Sequence, residues 1–224
     1  SSSIVLTAAS LSRTFVHAKS RNTALAMSAG SDVEESQQQS LGRVGSSPRQ
    51  LMQIFLETER LLLRQFTEDD VDSLVELDSD PDVMHFITGG RATPRREIES
   101  DVLPMFLDYY ERLPGYGFWA AIEKSSGRFV GWFHFRPVKA DETNEVELGY
   151  RLRKSVWGKG YATEGSQALI EKGFAELGVQ RVVAFTMVVH VASRRVMEKA
   201  GLRLVRTFHQ PWPDYIEGEE EGDV

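Results

Sequence analysis

The chain has 224 residues, 41% hydrophobic and 26% charged, an ordinary balance for one α/β domain with a sizeable core. A net charge of −7 gives a field that disfavours nucleic acid, and no apolar run approaches the about 20 residues of a membrane-spanning helix. With no cysteine, disulfides, thiolate metal sites and a cysteine nucleophile are excluded, and no metal is expected.

Residues 1–50 differ from the rest. They are rich in Ser, Ala and Gln, and no acidic residue precedes Asp32, while Arg13, Lys19 and Arg21 are basic. This composition predicts a disordered leader up to about Arg49, read either as an organellar transit peptide or as a mis-assigned start, with Met52 as the alternative beginning. A cytoplasmic protein is expected, or one of an organellar stroma or matrix if the leader is a transit peptide. Residues 52–224 are expected to form the folded domain.

Ile54 to Phe66 reads as one strand. Thr67 then caps a helix whose first turn carries Glu68, Asp69 and Asp70, where the helix dipole favours anions. Pro81 opens a short helix that Gly89 and Gly90 end. A longer helix spans about Pro94 to Arg112, with a kink or break expected at Pro104. Phe118 to Glu123 and Arg128 to Arg136 form a hairpin about Ser125, Ser126 and Gly127. Asn144 to Leu152 is a strand, Tyr161 to Leu177 a helix stopped by Gly178, Arg181 to Val188 a strand, Ser193 to Ala200 a helix and Leu202 to Phe208 a strand. The mixture predicts an α/β (α+β) sheet covered by helices. Glu217 to Asp223 reads as an acidic solvated loop.

The chemistry concentrates in Trp157-Gly158-Lys159-Gly160-Tyr161-Ala162-Thr163-Glu164. Two glycines between a strand and a helix permit a tight turn and close approach of a ligand to the backbone. The helix behind them presents free N–H groups and its positive end, an anion site suited to a diphosphate. A mere tight connection is the alternative. Two other phosphate motifs fail: Gly160 follows Lys159 where a Walker A loop needs Ser or Thr, and Thr163 stands where a dinucleotide fingerprint needs Gly. The preceding strand alternates Val146, Leu148, Tyr150 and Leu152 with Glu147, Gly149 and Arg151. A carboxylate and a glycine in a central strand predict a groove or a close backbone approach; a wet edge strand is the alternative.

These segments resemble the GNAT acetyltransferases, in particular the RimJ/RimL-like branch. Glu57-Thr58-Glu59-Arg60-Leu61-Leu62-Leu63-Arg64 is similar to that branch's opening strand. Val146 to Glu164 is similar to its central strand and acetyl-CoA loop, and Ser193 to Leu202 to its late helix and following turn. The resemblance covers about residues 54–210. It implies a V-shaped opening between two central strands and acetyl-CoA as cosubstrate. The pantetheine arm would lie against the backbone at Tyr150 to Leu152. The pyrophosphate would sit on Gly158, Lys159, Gly160, Tyr161 and Ala162. The implied reaction is direct attack of a primary amine, a small molecule or a protein N-terminus, on the acetyl thioester. The implied enzyme is a monomer or homodimer with no nucleic-acid or membrane partner.

Three positions depart from the family pattern: Ser155 replaces Gln or Arg, His190 replaces a helix-capping Asn, and Met197 replaces a proton-donating Tyr. His190 is a candidate cofactor contact or a surface histidine. Ser193 is a candidate proton donor or a helix cap. Glu147, on the strand flanking the opening, is the candidate general base through a water, with burial raising its pKa; an ion pair with Arg151 is the alternative. A backbone N–H near Gly149 or Tyr150 is the expected oxyanion donor. Trp119, Trp132 and His134 are candidate walls of the acceptor site, or core residues. The resemblance also implies a final strand beginning where Val224 stands, so a truncated sequence with an unpaired central edge is expected. A non-catalytic acyl-CoA-binding module and a nucleotide-binding kinase are the rival classes.

Overall fold

The computed structural model describes residues 2–9, 53–139 and 142–209; of residues 2–9 and of His209 it describes only the backbone. The acidic stretch 217–223 and most of the leader lie outside the described residues. Eight strands form one sheet in the order β2-β3-β4-β5-β6-β7-β1-β8. Their ranges are β1 Ser2–Ala9, β2 Ile54–Glu57, β3 Leu61–Arg64, β4 Gly117–Glu123, β5 Phe129–Lys139, β6 Glu142–Leu152, β7 Arg181–Met187 and β8 Arg203–His209. Every neighbouring pair is antiparallel except β6 and β7.

The expected strand Ile54 to Phe66 is two strands. The chain reverses at Thr58, whose Oγ1 accepts from the Leu61 amide at 2.9 Å while its own amide donates to the Leu61 carbonyl at 2.9 Å. A hydroxyl that can hold a backbone amide favours a turn, and it outweighs the strand propensity of the flanking residues. The helix after Thr67 begins as a 3-10 turn, Glu68–Asp70, before α1, Val71–Asp78. Helix α2, Pro81–Thr88, ends on Gly89 at φ 70°. The segment around Pro104 is broken as expected, into α3 (Arg95–Glu97), a π turn at Ile98–Val102 and α4 (Leu103–Arg112). Proline lacks the N–H that would continue the ladder, and a widened turn ahead of it absorbs the mismatch. Helices α5, Tyr161–Glu176, and α6, Val191–Lys199, complete the set.

The sheet separates two apolar clusters. One gathers Phe133, Phe135, Val146, Leu148, Leu169, Ile170 and Met197 between the sheet and α5 and α6. The other gathers Leu74, Ile98, Phe106, Phe118 and Trp132 beneath α1 and α4. Each fully buried Leu or Phe contributes about 1.5–3 kcal/mol by leaving water. Helix α5 can lie so close because Gly165 and Gly173 carry no side chain: a Cβ there would stand 2.3 Å from Phe133 Cζ and 2.5 Å from Phe135 Cζ.

The leader does not follow the expectation of disorder at its start. Ser2–Ala9 form β1, antiparallel to both β7 and β8, in the central position expected to lack a strand. The backbone of β7 and of β8 would otherwise present open edges there, and pairing satisfies both at once. Deleting residues 1–10 should therefore lower the thermal midpoint by at least about 5 °C, the shift expected for a loss of 2 kcal/mol or so in a domain of this size, as read by circular dichroism. An unchanged midpoint would show that β1 adds nothing to the sheet.

Candidate active site

Strands β6 and β7 run parallel for three rungs only: Glu145 with Arg181, Val146 with Val182 and Glu147 with Val183. Beyond Glu147 the two diverge. On the facing side, neither residues 148–152 nor 184–187 have a partner strand among the described residues, while β5 covers the outer edge of β6 and β1 that of β7. The result is a one-sided wedge of open main chain whose apex is Glu147.

The glycine loop lies past the end of β6. Lys154–Val156 make one 3-10 turn, and Gly158 and Gly160 hold φ of 73° and 87°. At these two positions any other residue meets backbone strain. The amides of Gly158, Gly160, Tyr161, Ala162 and Thr163 find no acceptor among the described residues. Four of them are Gly160 and the first turn of α5, where the helix dipole is positive. Five unspent donors around two glycines fit a diphosphate. The Lys159 amide, by contrast, reaches the Val156 carbonyl at 3.4 Å.

The loop is fastened from behind. Glu164 accepts from Thr58 Oγ1 at 2.6 Å, from the Arg60 amide at 2.8 Å and from Arg60 Nε at 2.6 Å. Arg60 also donates to the Lys159 carbonyl at 2.8 Å and lies over the Tyr161 ring at 4.5 Å. Burial would raise the Glu164 carboxyl, but these donors outweigh it and hold its pKa below the usual range. A carboxylate in the first turn of a helix would repel an anion at its N-terminus, and this clamp neutralises it. Both Arg60 and Glu164 stand in the motifs quoted above, yet their pairing across 104 positions had no signature in the sequence.

On the face toward α1 and α2, Glu147 meets two partners. Arg136 Nη2 donates to Glu147 Oε2 at 2.8 Å, and His134 Nε2 stands 3.4 Å from Oε1, a long contact that leaves Nε2 without a formed hydrogen bond. The expected raised pKa and pairing with Arg151 do not hold. Burial pushes Glu147 up, but His134 and Arg136 together outweigh it, so its pKa is lowered. Arg151 instead donates to Asp78 at 2.5 Å and covers the Trp132 ring at 5.1 Å. Burial lowers the His134 pKa, against the pull of Glu147. Gly149 makes room for that ring: a Cβ on it would lie 2.5 Å from His134 Cε1.

Of the expected acceptor walls, Trp132 and His134 share this face, with ring centroids 5.9 Å apart. Trp119 does not. It is 1% exposed, stacks on Phe55 at 3.7 Å and belongs to the cluster beneath α5, because alternate residues of β4 point to opposite sides of the sheet.

On the other face, Tyr150 Oη lies 3.0 Å from Ser193 Oγ and donates to the Ser193 carbonyl at 3.1 Å. Ser193 is the third residue of α6, so it is not the cap. His190 is: its Nδ1 accepts from the Ser193 amide at 3.4 Å, and its ring stacks on Phe86 at 4.0 Å. A ring nitrogen thus replaces the capping amide that histidine seemed unable to supply. Burial, aided by His85, pushes the His190 pKa down to about 4. Burial likewise raises Tyr150 to about 12. Met197 is packed in the core. Three features therefore converge on the wedge: anion-binding amides at its mouth, a carboxylate at its apex, and a pair of hydroxyls reaching across it.

A wedge of open main chain beside a loop of unspent amides suits a ligand held by backbone contacts. The Acetyltransferase (GNAT) domain model matches residues 60–203, and the chain belongs to that family. It is 35% identical over 176 residues to the FsC-acetyl coenzyme A-N(2)-transacetylase of Aspergillus fumigatus, covering 75% of this chain and 73% of that protein. A GNAT-family acetyltransferase from Bacillus anthracis superposes with a TM-score of 0.55 at 28% identity, over 66% of this chain and 82% of that one. RimL, a ribosomal L7/L12 alpha-N-protein acetyltransferase solved with coenzyme A, superposes with a TM-score of 0.58 at 20% identity, over 66% and 83%. The fold is the GNAT fold, and the chain is an acyltransferase of that family.

Gly160→Ala should weaken coenzyme A binding about tenfold in calorimetry, since a Cβ at φ 87° costs about 1–2 kcal/mol and would stand 3.3 Å from Arg60 Nη2. Wild-type affinity in that variant would detach the loop from the ligand. His190 makes a pH-dependent prediction. Unfolded, it binds a proton near pH 6.5; folded, only near 4. Stability from this group is complete above about pH 6.5 and is lost as pH falls toward 4. His190→Asn, which keeps a cap, should make the midpoint-against-pH curve shallower in that window.

Proposed function

We propose that the protein transfers the acetyl group of acetyl-CoA to a primary amine by direct attack, with no covalent enzyme intermediate. The five unspent amides beside an open wedge of main chain carry this reading. Gly158, Gly160, Tyr161 and Ala162 would hold the pyrophosphate, and Lys159 would add charge. The edge at Tyr150 to Leu152, where the Leu152 carbonyl already accepts from Trp157 Nε1 at 2.8 Å, would pair with the pantetheine arm through its remaining groups, and a main-chain N–H near Gly149 or Tyr150 would meet the carbonyl oxygen of the thioester. His190, at the head of α6, would border the bound carrier. Acetyl-CoA supplies the activated acyl group.

Glu147 takes the proton of the incoming amine, through a water. Its lowered pKa keeps it ionised at neutral pH, ready to accept. Arg136 and the Glu147–His134 pair, with Trp132, form the acceptor side. Ser193 donates a hydrogen bond from its hydroxyl to the departing sulfur. Base and hydrogen donor stand on opposite faces of the sheet with the wedge between them, so attack and departure are served from two sides.

A small amine is the favoured acceptor, because the 35% identical relative is named for transfer to an N(2) nitrogen. The likeness to RimL, at 20% identity, bears on the fold alone. The test is thiol release from acetyl-CoA with ornithine, lysine, spermidine, an aminoglycoside and an alanine-initiated peptide, with product mass identifying the acetylated nitrogen. Glu147→Gln should lower kcat by about 100-fold or more and leave coenzyme A affinity unchanged. Tight coenzyme A binding without turnover on any amine would instead make the protein an acyl-CoA-binding module.

A further inference from the structure

The Tyr150–Ser193 pair holds more information than the family resemblance gives it, and the inference below rests on the reading of Ser193 just proposed. Tyr150 belongs to β6 beyond its last rung with β7, and Ser193 to the helix that follows β7. Their contact is a bridge across the opening wedge. Tyr150 is half-buried and packs near Phe133, with ring centroids 6.0 Å apart; Ser193 is 8% exposed.

The hydrogens of the pair can be counted. A phenol has one hydrogen, and so has a serine hydroxyl. The Ser193 carbonyl, 3.1 Å from Tyr150 Oη, can only accept, so that contact uses the phenol hydrogen. The 3.0 Å contact between the two hydroxyls must then use the serine hydrogen, pointed at Tyr150 and away from any ligand. The other arrangement turns the phenol hydrogen onto Ser193 Oγ and releases the serine hydrogen. The two acceptors lie 3.0 and 3.1 Å from Oη, so rotations about the two C–O bonds, one in each residue, exchange the arrangements without moving a heavy atom.

We propose that Tyr150 is a positioning residue for Ser193: its hydroxyl switches from the Ser193 carbonyl to Oγ, and so aims the Ser193 hydrogen at the sulfur of the acyl donor. Ser193 then donates a hydrogen bond to sulfur as the acyl carbon–sulfur bond breaks and the electron pair passes to sulfur. The proton that neutralises the thiolate comes from water. The proton lost by the amine goes to Glu147 and from there to solvent. Burial, which raises Tyr150 to about 12, keeps the phenol protonated throughout. This gives the wedge a hydrogen donor at the sulfur although Met197 occupies the position where the family pattern places a tyrosine.

Two measurements test the switch. With acetyl-CoA and the amine giving the fastest turnover in the panel, Tyr150→Phe should lower kcat about tenfold, the scale of a single hydrogen bond to a developing charge, with KM for acetyl-CoA unchanged. The double variant Tyr150→Phe with Ser193→Ala should be no slower than Ser193→Ala alone. The second readout needs no turnover. In enzyme labelled with 13C at tyrosine Cζ, the Tyr150 signal, identified by its loss in Tyr150→Phe, should move when coenzyme A is added. It should stay in place in Ser193→Ala at saturating coenzyme A. Additive losses in the double variant, or the same shift with and without the Ser193 hydroxyl, would overturn the switch while leaving the acetyltransferase reading intact. No coenzyme A binding by the wild type would overturn that reading, and this one with it.

Discussion

Everything in the site follows from the parallel pairing of β6 and β7 stopping after three rungs. A central sheet position normally satisfies its main chain on both sides. Here residues 148–152 and 184–187 turn half of their polar groups into a gap. The gap stays open because each strand is secured on its far side, β6 by β5 and β7 by β1. Neither strand can swing over to close it without breaking a longer ladder. The binding surface is therefore backbone, and side chains need only refine it.

Charge is distributed to suit that surface. Acidic groups near the wedge are each committed: Glu164 to Arg60 and Thr58, Asp78 to Arg151 and Thr93, Glu147 to Arg136. Successive basic residues at the end of β6 are held by α1 and α2, Arg153 by Glu76 and Lys154 by Asp82. Five amides, those of Gly158, Gly160, Tyr161, Ala162 and Thr163, remain uncommitted among the described residues. Partly buried pairs of this kind add modest stability. Their larger effect is to lower the negative potential around the unspent amides of the loop.

The fold was largely legible because periodicity and punctuation are local. Gly89, Pro104, Gly127 and Gly178 mark element boundaries in the sequence, and the structure follows them. The glycine loop was legible for the same reason. What could not be read was pairing at a distance. That Trp119 faces the opposite side from Trp132 depends on the register of β4, and a one-residue change would put both on one face. That Glu147 meets Arg136 and His134 rather than Arg151 depends on which strand lies beside β6 and in what register. Composition misled at Ser2–Ala9, a run of small and β-branched residues with no polar alternation, because a strand that inserts between two others draws its stability from their edges more than from its own pattern.

The insertion of β1 also orders events in time. Its two neighbours, β7 and β8, are the last strands of the described chain, so β1 waits for segments made long after it before it can settle. Such widely separated pairing carries a high contact order and slows folding. A chain emerging from the ribosome must hold Ser2–Ala9 in reserve, free of wrong partners, until synthesis has passed β8. Completion of the sheet is thus a late event, coupled to the appearance of β8.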